Sequence, residues 1–240
     1  METVRSEVEV RTQNPDVRSQ TMKIGIYGGT FNPVHYGHLR TAEEVYARLS
    51  LDKILFIPSG KTPFDKPDLA RADERYEMVE KAIKGNRHFI ISDIETKARG
   101  RSYSVDTINK LARMYENADF YFILGIDAFL DLPAWKEPEK LINMTNLVVI
   151  SRPRYHFNDI SDSLFIKRVR RRVLSDLDND TLTDHAFDIS DQQKGYLLNV
   201  TGLNISASLV RGLIGKGESI RYLLPDSVKS YIISHNLYKK

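Results

Sequence analysis

Short, near-continuous apolar runs that end in glycine or proline constrain this chain more than any other feature. Four stand out: MKIGIYGG at 22–29, KILFIP at 53–58, DFYFILG at 119–125 and NLVVIS at 146–151, the last closed by Arg152-Pro153. Successive apolar residues suit a strand buried on both faces, and Gly or Pro at its end feeds a turn. Between the runs, apolar residues recur at helical spacing. Leu39, Ala42, Tyr46 and Leu49 predict a helix from about residue 36. Met78, Val79, Ala82 and Ile83 predict one over 73–84, and Val105, Ile108, Leu111, Ala112 and Tyr115 one over 104–116. A further strand is expected at 89–95. Repeated alternation of buried strand and helix implies an α/β fold, a doubly wound parallel sheet with helices on both faces. Such sheets bind ligands outside the carboxyl ends of their strands, here the loops containing YGGTFNP, IPSGKTP and ILGIDAF.

The second half is less regular. A helix with a basic face is expected at 165–174, followed by a polar, acidic stretch read as a loop or cap. A short strand at 196–200 and helices at 206–215 and 225–235 complete a helical C-terminal segment. Residues 1–21 carry no apolar run and read as a disordered extension, not a signal peptide. Residues 22–240 read as one domain with an insertion at about 154–195. The 35 Lys and Arg nearly balance the 32 Asp and Glu, a net charge of +3, which argues against a dedicated nucleic-acid binder. The basic run 167–172 reads as a solvated face, with an RNA-associated role as its rival. No apolar stretch is long enough to span a bilayer, so no membrane partner is expected. Cysteine is absent, which excludes a thiol nucleophile and fits a cytoplasmic location.

Two strings carry chemistry. Gly28-Gly29-Thr30-Phe31-Asn32-Pro33-Val34-His35-Tyr36-Gly37-His38 follows the first strand and opens a helix. Glycines there let backbone approach an anion, and the helix start presents free N–H groups. His35 and His38 lie three residues apart at that start and can offer N–H donors to one phosphate. The pattern is neither the dinucleotide G-x-G-x-x-G nor a P-loop. No protein metal site is expected, because His88, His156, His185 and His235 share no metal-like spacing with this pair. The second string is Ile205-Ser206-Ala207-Ser208-Leu209-Val210-Arg211. Ser206 suits a helix N-cap, Ser208 lies beside it, and Arg211 follows about one turn on with a planar fork of donors. Taken singly, the glycines also read as a tight turn, and the serines and arginine as a capped helix with a solvated side chain.

Together the strings resemble the nucleotidyltransferase superfamily. G-G-T-F-N-P-V-H-Y-G-H-L is similar to its (G/S)-x-F-x-P-x-H-x-G-H signature, and I-S-A-S-L-V-R to its I-S-S-T-x-x-R motif. RSYSVDTINKL, FILGIDAFLDLPAWKEPEKL, NLVVISRP and SIRYLLPDSVKSYI resemble bacterial nicotinate-nucleotide adenylyltransferases, over about residues 22–153 and 197–238. The resemblance implies a Rossmann-like sheet and transfer of AMP from ATP to nicotinic acid mononucleotide, with Mg²⁺ carried by ATP. Gly28, Gly29, Thr30 and Phe31 would hold phosphates, and His35 and His38 would stabilise the in-line transition state. Ser206, Ser208 and Arg211 would hold the leaving β- and γ-phosphates. Gly125 and Asp127 match the family's G-x-D element. Trp135 would stack on the pyridine ring, while the Ser104 and Lys136 backbone N–H groups would meet the nicotinate carboxylate. Rival expectations are a related transferase acting on nicotinamide mononucleotide or another phosphate acceptor, and a non-catalytic nucleotide-binding sensor. The chain departs from the family at Thr62-Pro63-Phe64-Asp65-Lys66, where P-P-H-K is common, so Lys66 is left open as a phosphate contact. Ala207 replaces a usual serine, and 154–195 is longer and more basic than expected.

Overall fold

In a computed structural model, residues 21–61 and 68–239 are described. Lys66 and nearly all of the expected N-terminal extension lie outside them. Along the chain run β1 (Met22–Gly29), α1 (Tyr36–Arg48), β2 (Lys53–Pro58), α2 (Ala72–Ile83), β3 (Phe89–Ile91), α3 (Ser104–Met114) and β4 (Ala118–Gly125). Then come α4 (Ile126–Asp131), α5 (Pro138–Met144), β5 (Asn146–Ile150), α6 (Arg171–Asp178), β6 (Asp184–Asp188), β7 (Lys194–Leu198), α7 (Ala207–Gly215) and α8 (Asp226–Ser234). The strands form one seven-stranded sheet in the order β3-β2-β1-β4-β5-β7-β6. Every neighbouring pair is parallel except β6 and β7. The α/β fold expected from the apolar runs is the one observed.

Strand alternation divides the core. Tyr27, Phe56, Ile123 and Val148 point to one face, where Val45 of α1, Met78 of α2, Val210 of α7 and Val228 of α8 cover them. Ile26, Leu55, Phe122 and Val149 point to the other, against Leu111 of α3, Phe129 of α4, Leu141 of α5 and Leu174 of α6. Strand order reverses between β1 and β4. Their following loops leave to opposite faces and open a crevice at the carboxyl rim. No helix among the described residues is long and apolar enough to cross a membrane.

No helix is expected from the sequence at α4 or α5, and three further elements differ from the sequence expectation. β3 stops at Ile91, because Ser92 Oγ accepts the Ile94 N–H and Asp93 C=O accepts from Thr96 and Lys97, turning the chain. The basic helix expected at 165–174 is divided: a 3-10 turn covers Leu164–Ile166 and α6 starts only at Arg171. Lys167, Arg168, Arg170, Arg171 and Arg172 would lie within two turns of one another, and like charges at that spacing oppose a helix. The acidic stretch read as loop contains β6, an antiparallel edge strand. Edge strands tolerate charge, so its polarity concealed it. Phe187 is its one buried residue, and its ring occupies the space that Gly195 of β7 leaves open.

Candidate active site

β1 delivers its glycines to the middle of the rim. A Cβ added at Gly28 would meet nothing within 4 Å, so open space lies over the strand end. Phe31, at φ +48, turns inward and is buried against Tyr27 and Phe56. The chain then reaches His35, the N-cap of α1. The His35 and His38 rings lie against each other at a 30° tilt, 3.7 Å between centroids. His38 Nδ1 accepts the His35 backbone N–H at 3.2 Å. In the neutral ring the proton is therefore on Nε2, which makes that nitrogen the donor. Burial holds the His35 pKa down to about 4, with the nearby positive charge of Arg152 adding to the effect. Burial, followed by the charges of His35 and Arg152, holds His38 well below its ordinary value. Both rings are neutral N–H donors at pH 7, not cations.

The second string arrives at the same place. Ser206 caps α7 by accepting the Leu209 N–H at 3.1 Å, and its hydroxyl lies 3.0 Å from that of Ser208. A Cβ at Gly37 would sit 3.5 Å from the Ile205 carbonyl, so the starts of α1 and α7 adjoin. Arg211 Nη1 donates to the Asn32 carbonyl at 2.8 Å, across 179 positions of sequence. Asn32 is itself held: Nδ2 donates to the Asp68 carbonyl, and Oδ1 accepts from the Ala70 N–H and the Tyr238 hydroxyl.

At the end of β4, Gly125 lets Asp127 and Arg152 meet over the strand. Their closest atoms are 3.4 Å apart, and a Cβ on Gly125 would lie 2.5 Å from Arg152 Nε. Ser104 is the first residue of α3, with Tyr103 as N-cap. Lys136 Nζ pairs with Asp106 at 2.9 Å and lies 5.0 Å from the Tyr103 ring centre, joining the start of α3 to the segment after α4. Half-buried Trp135 stands edge-on to Phe122 at 6.2 Å.

Several buried polar atoms without a hydrogen-bond partner lie at this rim, alongside Glu43 Oε2 and Ser102 Oγ elsewhere. Among the described residues they include Tyr27 Oη, His35 Nδ1, Asp127 Oδ1, Arg152 Nε and Arg211 Nε. Asp127 and Arg152 face each other as an ion pair, and the others add polar atoms to the same rim. Tyr27 and Arg152 were not singled out from sequence as site residues, and neither was Asn32 as an anchor.

The cytidylyltransferase-like family model matches residues 26–212. A Geotalea daltonii protein named "Probable nicotinate-nucleotide adenylyltransferase" is 41% identical over 218 residues, covering 90% of this chain and 98% of its own. One of the same name from Syntrophotalea carbinolica is 41% identical over 223 residues, covering 91% and 98%. The chain belongs to the nicotinate-nucleotide adenylyltransferase family. A solved Plasmodium falciparum nicotinic acid mononucleotide adenylyltransferase complexed with NaAD superimposes with a TM-score of 0.67 at 22% identity, over 90% of this chain and 97% of that one. The family fold therefore extends across both strings. Every site residue expected from the family motifs lies among the described residues except the open case of Lys66.

Proposed function

We propose that this chain transfers the AMP moiety of ATP to nicotinic acid mononucleotide, forming nicotinic acid adenine dinucleotide and pyrophosphate, in NAD biosynthesis. The observation that carries the reading is the Arg211–Asn32 bond, which joins the two anion-binding strings into one rim. A mononucleotide phosphate oxygen attacks the α-phosphorus. As that bond forms, the bond from the α-phosphorus to its β-bridging oxygen breaks, and the electron pair leaves with pyrophosphate. The attacking phosphate is already anionic, so no general base is required; positioning and electrostatic stabilisation suffice.

Gly28, Gly29, Thr30 and Phe31 are proposed to cradle the phosphates. His35 and His38 donate N–H groups to oxygens that gain charge in the transition state. Ser206, Ser208 and Arg211 hold the departing pyrophosphate. Gly125 and Asp127 meet the nucleotide, Trp135 stacks on the pyridine ring, and the backbone of Ser104 and Lys136 binds the carboxylate. Among the described residues no cluster of His, Asp and Glu could hold a metal ion, and the rim offers mainly N–H and O–H donors. That donor set fits Mg²⁺ bound to the triphosphate oxygens, where it would neutralise phosphate charge. The cytoplasm is the proposed location.

Comparing kcat/KM for nicotinic acid and nicotinamide mononucleotides, with ATP and Mg²⁺, tests the reading. Backbone donors match both carboxylate oxygens, whereas an amide would set its NH₂ against a donor. The acid should be preferred by roughly 100-fold or more. Values within a few-fold of each other would replace this reading with a dual-specificity enzyme, and no pyrophosphate release with either would reject catalysis.

A further inference from the structure

Arg75 of α2 is fully buried, at 1% exposure. It sits on the apolar face of its helix, in line with Met78, Val79 and Ile83. Its guanidinium reaches three separate stretches of chain. Nε donates to the Ala70 carbonyl at 3.0 Å, Nη1 to the Thr30 carbonyl at 2.8 Å and to Ser59 Oγ at 3.4 Å, and Nη2 to the Gly60 carbonyl at 3.1 Å. Every one of these acceptors is neutral. Asp73 and Glu95 act on Arg75 only from a distance, and each is engaged elsewhere, Asp73 by Arg71 and Glu95 by Thr107. A buried cation ordinarily has a carboxylate beside it, because desolvating an unpaired charge is expensive. Among the described residues no carboxylate touches the guanidinium, Glu95 acting on it only from a distance, and one of the segments that it grips is the loop after β1.

We propose that Arg75 is a positioning residue for phosphate binding, which pins the loop after β1 to the loop after β2 and sets a positive charge behind the phosphates. This rests on the reading that the loop holds the phosphates of ATP. By drawing the Thr30 carbonyl inward, Arg75 keeps an oxygen that would repel phosphate away from the rim. The same contact passes its positive charge to the back of the loop, close to where phosphate charge must be accommodated. Removing the guanidinium therefore weakens ATP and spares the mononucleotide acceptor, whose proposed contacts lie around Ser104 and Trp135.

The test uses the full chain with Arg75→Met, close in volume and uncharged, and Arg75→Lys, which restores the charge without the fork. In Arg75→Met the KM for ATP should rise about tenfold or more, with the KM for the mononucleotide within about twofold; Arg75→Lys should recover part of the loss. Thermal stabilisation by inorganic tripolyphosphate with Mg²⁺ should be lost in Arg75→Met and partly regained in Arg75→Lys. A lower melting temperature in Arg75→Met with the tripolyphosphate shift intact would make the residue merely structural and overturn the proposal. Equal rises in both KM values would do the same. Should neither variant fold, hydrogen exchange at Arg75 Nε in the unmodified chain decides: slowed by tripolyphosphate if the proposal holds, unchanged if it fails. An unmodified chain that gains no stability from tripolyphosphate would overturn the phosphate-loop reading together with this one, whereas normal stabilisation of both chain and variant overturns the role of Arg75 alone.

Discussion

His38 gives one ring nitrogen to the backbone of its own helix cap and keeps the other as a donor. In the proposed role that donor faces developing charge and acts mainly in the transition state. His38→Ala should therefore cut kcat about 100-fold, roughly 3 kcal/mol, with a smaller change in the KM for ATP; single-turnover rates check this, and an unchanged kcat refutes it. His35 makes a prediction about stability. Its pKa is held down to about 4 in the folded chain and returns to the ordinary 6.5 on unfolding. Between these values the unfolded chain binds more protons. Stability is thus highest above pH 6.5 and falls, by up to about 3 kcal/mol, as the pH drops towards 4. Urea titrations at pH 7 and 4.5 should show a smaller loss for His35→Asn than for the parent; equal losses would refute the assignment. The glycines, histidines, Ser206 and Arg211 could be read from sequence because local backbone geometry dictates those residue types. Tyr27 and Arg152 could not, since a long side chain's destination depends on what packs around it. Arg75 did leave a trace: a charge in line with Met78 and Val79 on an apolar helix face.

The junction of β4 and α4 carries the element-scale prediction. Gly125 has φ −75, which alanine adopts without strain, so the methyl group meets only side-chain atoms, the Asp127 carboxylate and Arg152 Nε and Cγ. Gly125→Ala should displace that pair and reduce kcat/KM for ATP about tenfold or more. Stability should change by about 1 kcal/mol or less, because both side chains are partly exposed and can shift. Parallel kinetics and urea midpoints measure both, and a loss confined to stability would show that Gly125 serves packing alone. Buried elements were readable in advance, since β1, β2, β4 and β5 must be apolar throughout to lie between two helical layers. β6 was not, because an edge strand with one buried residue has no such demand. The break before α6 depends on a crowding of charge that hydrophobic periodicity does not register.

Across the whole molecule, the site is closed by contacts between distant parts of the chain. Thr201 N–H donates to Glu44 of α1, Arg211 reaches Asn32, and the Tyr238 hydroxyl donates to Asn32 Oδ1 at 2.7 Å across 206 positions. Tyr238→Phe leaves Asn32 Oδ1 its bond from Ala70, so no acceptor is orphaned. The cost should be about 1 kcal/mol, read as a lower urea midpoint; an unchanged midpoint would show that the C-terminal contact adds nothing. The sequence by itself determined the α/β sheet, its four central apolar strands, and the two strings proposed to bind phosphate, because each depends on local periodicity or on a residue type that a turn or cap requires. Only the tertiary structure decided that both strings share one rim, that Arg152 and Tyr27 line it, that Arg75 is buried beneath it with neutral hydrogen-bond acceptors, and that Tyr238 reaches Asn32. Those outcomes depend on strand order. The reversal between β1 and β4 opens the crevice, and the chain's return through β7 brings α7 and α8 back over β1, a long-range choice that local patterning does not encode.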